Sequence, residues 1–189
     1  MQMSSSIFFA SSNKNKFEEA KSITSKFGLK IKFLKSTLQE IQADDMKEIA
    51  RHKAMEAFSI CSKPVIVEDD GLFIKSLNGF PGPYSSFVSN TIGNKGILRL
   101  VSKPRDASFR SIIAYCERDA IVHLFSADVK GTISQKEQGL KWGFDPIFIP
   151  QGRNQSYSQL VDKNQISHRY LALKKFANWY LNKRKSRGR

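Results

Sequence analysis

The chain has 189 residues, enough for one domain with a substantial core, and its composition is ordinary for a globular protein. Its longest apolar runs, at residues 7–10 and 65–67, are far too short to cross a bilayer, and no signal peptide pattern is present. The formal net charge of +14 favours polyanionic partners. The two cysteines lack a CxxC spacing, which indicates buried free thiols and a cytoplasmic protein.

Hydrophobic periodicity predicts the first elements in chain order. A buried strand is expected at residues 7–10, followed by a helix whose apolar positions end before Gly28. Alternation predicts a second strand at 30–34, and an apolar stripe predicts a helix at 46–61. The third strand, residues 65–67, should end where a run of acidic residues begins.

The second half of the chain predicts a hairpin between helices. A short helix is expected at 94–101, two strands at 107–117 and 120–130 with a tight turn at Arg118-Asp119, and a closing helix at 167–181. This mixture favours an α/β (mixed α+β) fold with a mixed sheet. We expect one domain over residues 1–182 and a basic, frayed tail over 183–189, either solvated or in contact with nucleic acid.

Lys53 falls within the apolar stripe of the second helix rather than opposite it. Two explanations are equally good at this stage. The side chain lies along the helix edge with its ammonium in water, or it is held inside a cleft to meet an anion.

The first strand leads through a polar turn into a helix N-terminus, where Ser11, Asn13 and Lys16 supply donors and charge. Free N–H groups at such an end favour phosphate. Ser and Asn are also common N-caps, however, and capping is the stronger explanation of this segment taken alone.

Three adjacent carboxylates, Glu68, Asp69 and Asp70, follow the third strand. They repel one another unless a cation or solvent relieves them, and Mg²⁺ accepts one or two carboxylates together with waters and phosphates. A carboxylate beside the metal could also orient an attacking water. A solvated acidic turn is the simpler alternative.

Two further loops and one helix start carry polar and aromatic groups. Residues 79–85 alternate Gly and Pro, which predicts a structured loop, and they end at Ser85. In the second loop Trp142 and Phe144 flank a glycine before Asp145, an arrangement suited either to stacking on a base or to packing on the core. Donors that could recognise an anion or carbonyl cluster at the last helix start: Lys163, Ser167, His168 and Arg169.

In this order the motifs resemble those of the inosine triphosphate pyrophosphatase family over nearly the whole chain. The matching segments are an [ST]xNxxK turn, an acidic segment followed by Gly-Leu, a GxPGxYS loop, an aromatic-Gly-aromatic-Asp-Pro loop and an SHR helix start. The resemblance implies two lobes around a long mixed sheet with a nucleotide cleft between them, a homodimer, and Mg²⁺. It also implies hydrolysis of ITP, dITP and XTP to the monophosphate and pyrophosphate, which cleanses the nucleotide pool.

Residue roles follow from the resemblance, motif by motif. Asp69 and Glu40 would bind Mg²⁺, and Asp69 or Asp70 would handle the attacking water. Trp142 would stack on the purine, Phe144 would lie near it, and Ser85 would contact the substrate. The residues that would hold the triphosphate are Ser11, Asn13, Lys16 and Lys53; those that would recognise the purine edge are Asp145, Lys163, Ser167, His168 and Arg169.

The chain departs from the family pattern at three residues and in its basic tail. Ser12 replaces a usual glycine, Asp70 stands where Ser or Thr is usual, and Phe144 lacks a polar group common at its position. Glu40 is matched by spacing alone. The basic tail is not part of the pattern.

Two other hypotheses remain from the residues themselves. One is a basic nucleic-acid-binding module whose acids are structural, and the other is a related pyrophosphatase with another base preference. Pyrophosphate release from a panel of nucleotides separates them.

Overall fold

The computed structural model describes residues 6–118 and 121–187. The predicted turn residue Asp119 and the first predicted residue of the following strand, Ala120, lie outside this part. The strands are β1 (Ile7–Ser11), β2 (Ile31–Lys35), β3 (Val65–Ile74), β4 (Asp106–Arg118), β5 (Ile121–Ile133) and β6 (Phe148–Pro150). The helices are α1 (Lys14–Ser25), α2 (Met46–Cys61), α3 (Ser85–Thr91), α4 (Gly93–Leu100), α5 (Lys163–Ile166) and α6 (His168–Arg187).

The described strands form a mixed sheet in the order β2-β1-β3-β4-β5-β6. Strand β1 is parallel to both β2 and β3, whereas β5 and β6 are antiparallel. Parallel neighbours need a crossover connection, and α1 and α2 supply it after β1 and β2. The predicted mixed α+β class is confirmed.

Strand β3 does not end at Val67, as the sequence predicted, but continues to Ile74. The acidic residues therefore lie inside a strand and not at its exit. The apolar pattern returns at Leu72 and Ile74, both fully buried, so the strand continues through the charged segment. A solvated acidic turn is excluded, because Glu68 and Asp69 are only 4% and 7% exposed.

The chain divides into two compact units. Unit 1 comprises residues 1–69, 112–126 and 169–189, and its core includes Phe9, Ile66 and Phe176. Unit 2 comprises residues 70–111 and 127–168, and its core includes Phe109 and Phe148. The two-lobed arrangement around a nucleotide cleft stays a prediction, as does the single domain over residues 1–182.

The final helix extends beyond the predicted end, since α6 continues through Arg187, within the segment expected to fray. Lys183 explains the extension. Its ammonium donates to Glu117 and lies 4.7 Å from the Trp179 ring centre and 5.7 Å from that of Tyr115. These contacts tie the last turns to unit 1. Burial lowers the pKa of the adjoining His123, and the positive charge of Lys183 lowers this pKa further. Gly188 and Arg189 lie outside the described residues.

Both cysteines are free. Cys116 is buried as predicted, but Cys61, at the last position of α2, is only half-buried. None of the described helices has the length and hydropathy needed to cross a membrane.

Candidate functional site

Helix α2 carries Lys53 into the interior of unit 1, which is one of the two arrangements that the sequence left open. The residue is 8% exposed, between the fully buried Ala50 and Ala54. Its ammonium donates to Glu40 Oε1 at 2.9 Å and to Asp69 Oδ1 at 3.1 Å. The explanation that places the ammonium in water at the helix edge is therefore wrong.

The contact with Lys53 brings together the two predicted metal ligands, Glu40 and Asp69. They come from a loop before α2 and from the middle of β3. Their donor set fits Mg²⁺, which takes one or two carboxylates and completes its shell with waters and substrate phosphates. Among the described residues there is no group of three or more His, Cys, Asp or Glu side chains placed to hold a metal ion.

Glu68 is directed differently from Asp69, because successive side chains of a strand point to opposite faces. Its carboxylate accepts from Arg169 Nε at 2.7 Å, and Arg169 Nη1 also donates to Glu19 of α1. Arg169 is 1% exposed. The structure thus holds the guanidinium between two carboxylates in unit 1, while its predicted contact with the purine stays untested.

The predicted phosphate turn is built by its own side chains. Ser11 Oγ accepts from the Asn13 backbone N–H at 3.0 Å, and Asn13 Oδ1 accepts from the N–H groups of Asn15 and Lys16 at 2.9 and 3.3 Å. Asn13 is therefore the N-cap of α1. Capping and anion binding are compatible here, because the cap fixes the turn and a helix N-terminus offers further N–H groups.

In unit 2, His168 lies flat against the Phe109 ring, with the ring centres 4.2 Å apart and the planes 1° from parallel. Its Nε2 lies 3.8 Å from Asp70 Oδ2. The histidine is 2% exposed. Asp70, which stands where Ser or Thr is usual in the family, therefore faces the His168 imidazole.

A buried ion pair lies at the predicted base-recognition loop. Lys163 donates to Asp145 Oδ2, and both residues are less than 5% exposed. The same ammonium lies 5.4 Å from the Trp142 ring centre. Ser167, which is fully buried, donates its backbone N–H to the Lys163 carbonyl at 2.9 Å. The structure thus gathers four predicted base-binding residues within unit 2.

Two predicted substrate-binding residues make structural contacts within unit 2, and their predicted contacts with substrate stay untested. Phe144 is 4% exposed and belongs to the core cluster of unit 2, so the loop presents only one of its two aromatic rings. Ser85 accepts from the Leu72 N–H at 2.8 Å and donates to the Gly82 carbonyl at 2.7 Å. These bonds hold the Gly-Pro loop against β3. A side chain at Gly71 would collide with the Gly82 carbonyl, because a Cβ there would lie 2.5 Å from that oxygen.

The sequence did not identify the partners of Arg169. Glu19 could have been suspected, because it follows Lys16 by three residues on α1 and so lies on a neighbouring part of its surface. Glu68 could have been separated from Asp69 by strand alternation, but only if the strand had been extended through the acidic residues.

The model of the Ham1 family matches residues 7–179. A dITP/XTP pyrophosphatase of Methanopyrus kandleri is 42% identical over 181 residues, which cover 93% of this chain and 96% of the relative. A dITP/XTP pyrophosphatase of Saccharolobus solfataricus is 44% identical over 172 residues, covering 88% of this chain and 89% of the relative.

A solved structure agrees with these sequence matches. The HAM1 protein from Coxiella burnetii has a TM-score of 0.79 and 27% identity, with 94% of this chain and 98% of that chain covered. The family resemblance stated from the motifs is therefore confirmed, and so is the fold class.

Proposed function

Since the chain belongs to the Ham1 family, we propose that it hydrolyses the non-canonical purine nucleotides dITP, XTP and ITP to the monophosphate and pyrophosphate. The observation that carries this proposal is the buried Lys53 ammonium between Glu40 and Asp69. It combines a cation suited to phosphate with carboxylates suited to Mg²⁺. Relatives of this chain that are named dITP/XTP pyrophosphatases match almost its whole length, which favours this function over a nucleic-acid-binding module.

In unit 1 the proposed roles concern phosphate. Ser11, Asn13 and Lys16 bind the triphosphate at the start of α1, and Lys53 binds it from α2. Glu40 and Asp69 hold Mg²⁺, which when bound neutralises phosphate charge. The structure supports these roles through the N-terminal turn of α1 and the shared contact with Lys53.

The proposed reaction is attack of water on the α-phosphorus. The new P–O bond forms as the bond to the bridging oxygen breaks, and pyrophosphate leaves with that oxygen. Asp69 or Asp70 orients the water and accepts its proton. Lys16 and Lys53 stabilise the negative charge that develops on the leaving group.

In unit 2 the proposed roles concern the base. Trp142 stacks on the purine, while Lys163 and His168 supply donors and Asp145 accepts from ring N–H groups. A 6-keto purine accepts hydrogen bonds at position 6, whereas adenine donates there. Adenine would leave fixed donors unpaired, and buried unpaired groups give strong discrimination. Ser167 of this unit and Arg169 of unit 1 are also proposed to recognise the purine, as the family motif implies.

We further propose a cytoplasmic homodimer. The family resemblance supports the dimer, and the two free cysteines are compatible with a reducing compartment. Sedimentation velocity should give a mass of twice 21.5 kDa, and a single species at 21.5 kDa would contradict the dimer.

The decisive experiment measures pyrophosphate release with Mg²⁺ from XTP, dITP, ITP, GTP, ATP and dCTP at equal concentration. The three non-canonical purines should be hydrolysed far faster than the others. Phosphate as the primary product would contradict the bond assignment. Preference for a pyrimidine would favour the alternative pyrophosphatase hypothesis, and equal rates would remove the base preference altogether.

A further inference from the structure

The loop that carries Trp142 is anchored on one side of the ring by the chain that follows β6. The Lys141 backbone N–H donates to Ser158 Oγ at 2.8 Å, and Lys141 Nζ donates to the Leu160 carbonyl at 3.3 Å. Two bonds to one short segment fix the residue before Trp142. The position of the indole then depends on what fixes the residue after it.

That residue, Gly143, is held from a different element. Asn94, the second residue of α4, donates from Nδ2 to the Gly143 carbonyl at 3.1 Å. The same nitrogen lies 3.5 Å from Glu137 Oε2. Because two oxygen acceptors face this nitrogen, they determine which way the amide points.

Gly143 has a φ of +63°, in the left-handed region that favours glycine. An added Cβ would meet no atom within 4 Å, so the glycine is required by the backbone conformation and not by lack of space. Its carbonyl direction is therefore set by this conformation together with the bond from Asn94.

The other amide atom of Asn94 shows a cost of this arrangement. Its Oδ1 is buried and has no hydrogen-bond partner among the described residues. A buried acceptor without a partner lowers stability, and each such group in a folded protein calls for an explanation. Holding the Gly143 carbonyl in place provides one.

We propose that Asn94 is a positioning residue for base binding. Through the Gly143 carbonyl it fixes the peptide between Gly143 and Phe144, one residue beyond Trp142, and so holds the indole where a purine can stack on it. The inference rests on the proposed function, in which Trp142 is the stacking residue.

The position of Asn94 predicts a specific kinetic pattern. It contacts the base loop, and its hydrogen bonds do not involve Lys53, Asp69 or Glu40. Loss of its donor should therefore weaken substrate binding and leave the chemical step largely intact. A general loss of stability would instead lower the active fraction, and with it kcat, without changing KM.

The test uses Asn94→Asp and Asn94→Leu, both of which remove the donor. Asn90→Asp and Asn90→Leu are matched controls, because Asn90 is exposed on α3 and the charge changes are identical. For XTP with Mg²⁺, KM should rise about tenfold in the Asn94 variants, as for loss of one well-formed hydrogen bond, while kcat stays within about twofold. The Asn90 variants should match the wild type.

Trp142 fluorescence gives a second readout. In a Trp179→Phe background Trp142 is the single tryptophan, so quenching by XTP reports stacking directly. The XTP concentration at half-maximal quenching should increase about tenfold with Asn94→Asp. Unchanged KM and quenching in folded Asn94 variants would overturn the inference.

Gly143→Ala keeps the test decisive if the Asn94 variants fail to fold. The added methyl meets open space but strains the left-handed backbone, so it should raise KM in the same direction. An unchanged KM in this variant would contradict the inference. If wild-type protein hydrolyses XTP selectively but the variants behave like it, only the positioning role fails. If the wild type does not hydrolyse XTP, the proposed function fails and the inference with it.

Discussion

Each unit contains a buried lysine bound to aspartate, but the two groups differ in exposure. In unit 1, the Lys53 side chain is 11% exposed, and its ammonium is shared between Asp69 and Glu40, whose side chain is 60% exposed. In unit 2, the Lys163 and Asp145 side chains are only 4% and 6% exposed. The first group is therefore accessible through Glu40, while the second is closed.

This difference in exposure indicates that the two lysine groups have different functions. A buried ammonium with a second, solvated partner can exchange that partner for phosphate or allow a metal ion beside it at small cost. A closed pair loses much more if it is separated, because neither charge can return to water. The Lys53 group therefore suits reversible binding and chemistry, and the Lys163 pair suits a rigid surface that discriminates between bases.

The largest effect on activity is expected at the Lys53 group of unit 1. Asp69→Asn should lower kcat for XTP about a thousandfold, because a neutral amide is a poor Mg²⁺ ligand and cannot accept the proton of water. Circular dichroism and thermal unfolding should show an intact fold. Asp44→Asn, an exposed neutralisation just before α2, is the matched control and should keep full activity. A kcat within tenfold of wild type for Asp69→Asn would place the metal and water elsewhere.

Unit 1 also contains the buried ion pairs of Arg169 with Glu68 and Glu19, and their loss should reduce the stability of the fold. Arg169→Met removes the shared partner of Glu68 and Glu19, so it should reduce the free energy of unfolding by about 3 kcal/mol. Urea unfolding followed by circular dichroism measures this loss. Arg184→Met, an exposed change on the same helix, should have almost no effect. Equal stabilities for the two variants would contradict a buried network.

The smallest effect is expected at the aromatic surface of unit 2. Trp142→Ala should raise KM for XTP about tenfold, since stacking of one base contributes on the order of 1–3 kcal/mol. Trp142→Phe keeps a ring and should restore most of the affinity. If both variants bind XTP as tightly as wild type, the stacking role is wrong, and the comparison between the units loses its functional meaning.

Much of the fold follows from local patterns in the sequence. The predicted helix at 46–61 matches α2, because its apolar stripe is long and regular. Lys53 was also visible as an unusual residue, since a cation at an apolar position of a helix conflicts with the simple pattern, but the pattern left its burial open. The order of the motifs along the chain was sufficient to identify the family.

The errors arose where tertiary contacts override the local pattern. The acidic residues looked like the end of β3, because charges seldom continue a buried strand unless they are paired. Their partners, Lys53 and Arg169, lie far away in the sequence. For Phe144 the sequence left stacking on a base and packing on the core open, because its burial depends on the core of unit 2. The closing helix was expected to end at residue 181, because the ring contacts of Lys183 are not local.

The acidic stretch of β3 also constrains how this strand can pair during folding. A shift of one residue would exchange the faces of every side chain, and would turn Glu68 toward Lys53 and Asp69 toward Arg169. The shorter aspartate would not reach the guanidinium as Glu68 does, and Leu72 would lose its place in the core. The Lys53–Asp69 and Arg169–Glu68 ion pairs lie on opposite faces of β3, so both can form only when the strand pairs in the correct register. Selection on either pair can therefore preserve correct assembly of the sheet as well as activity.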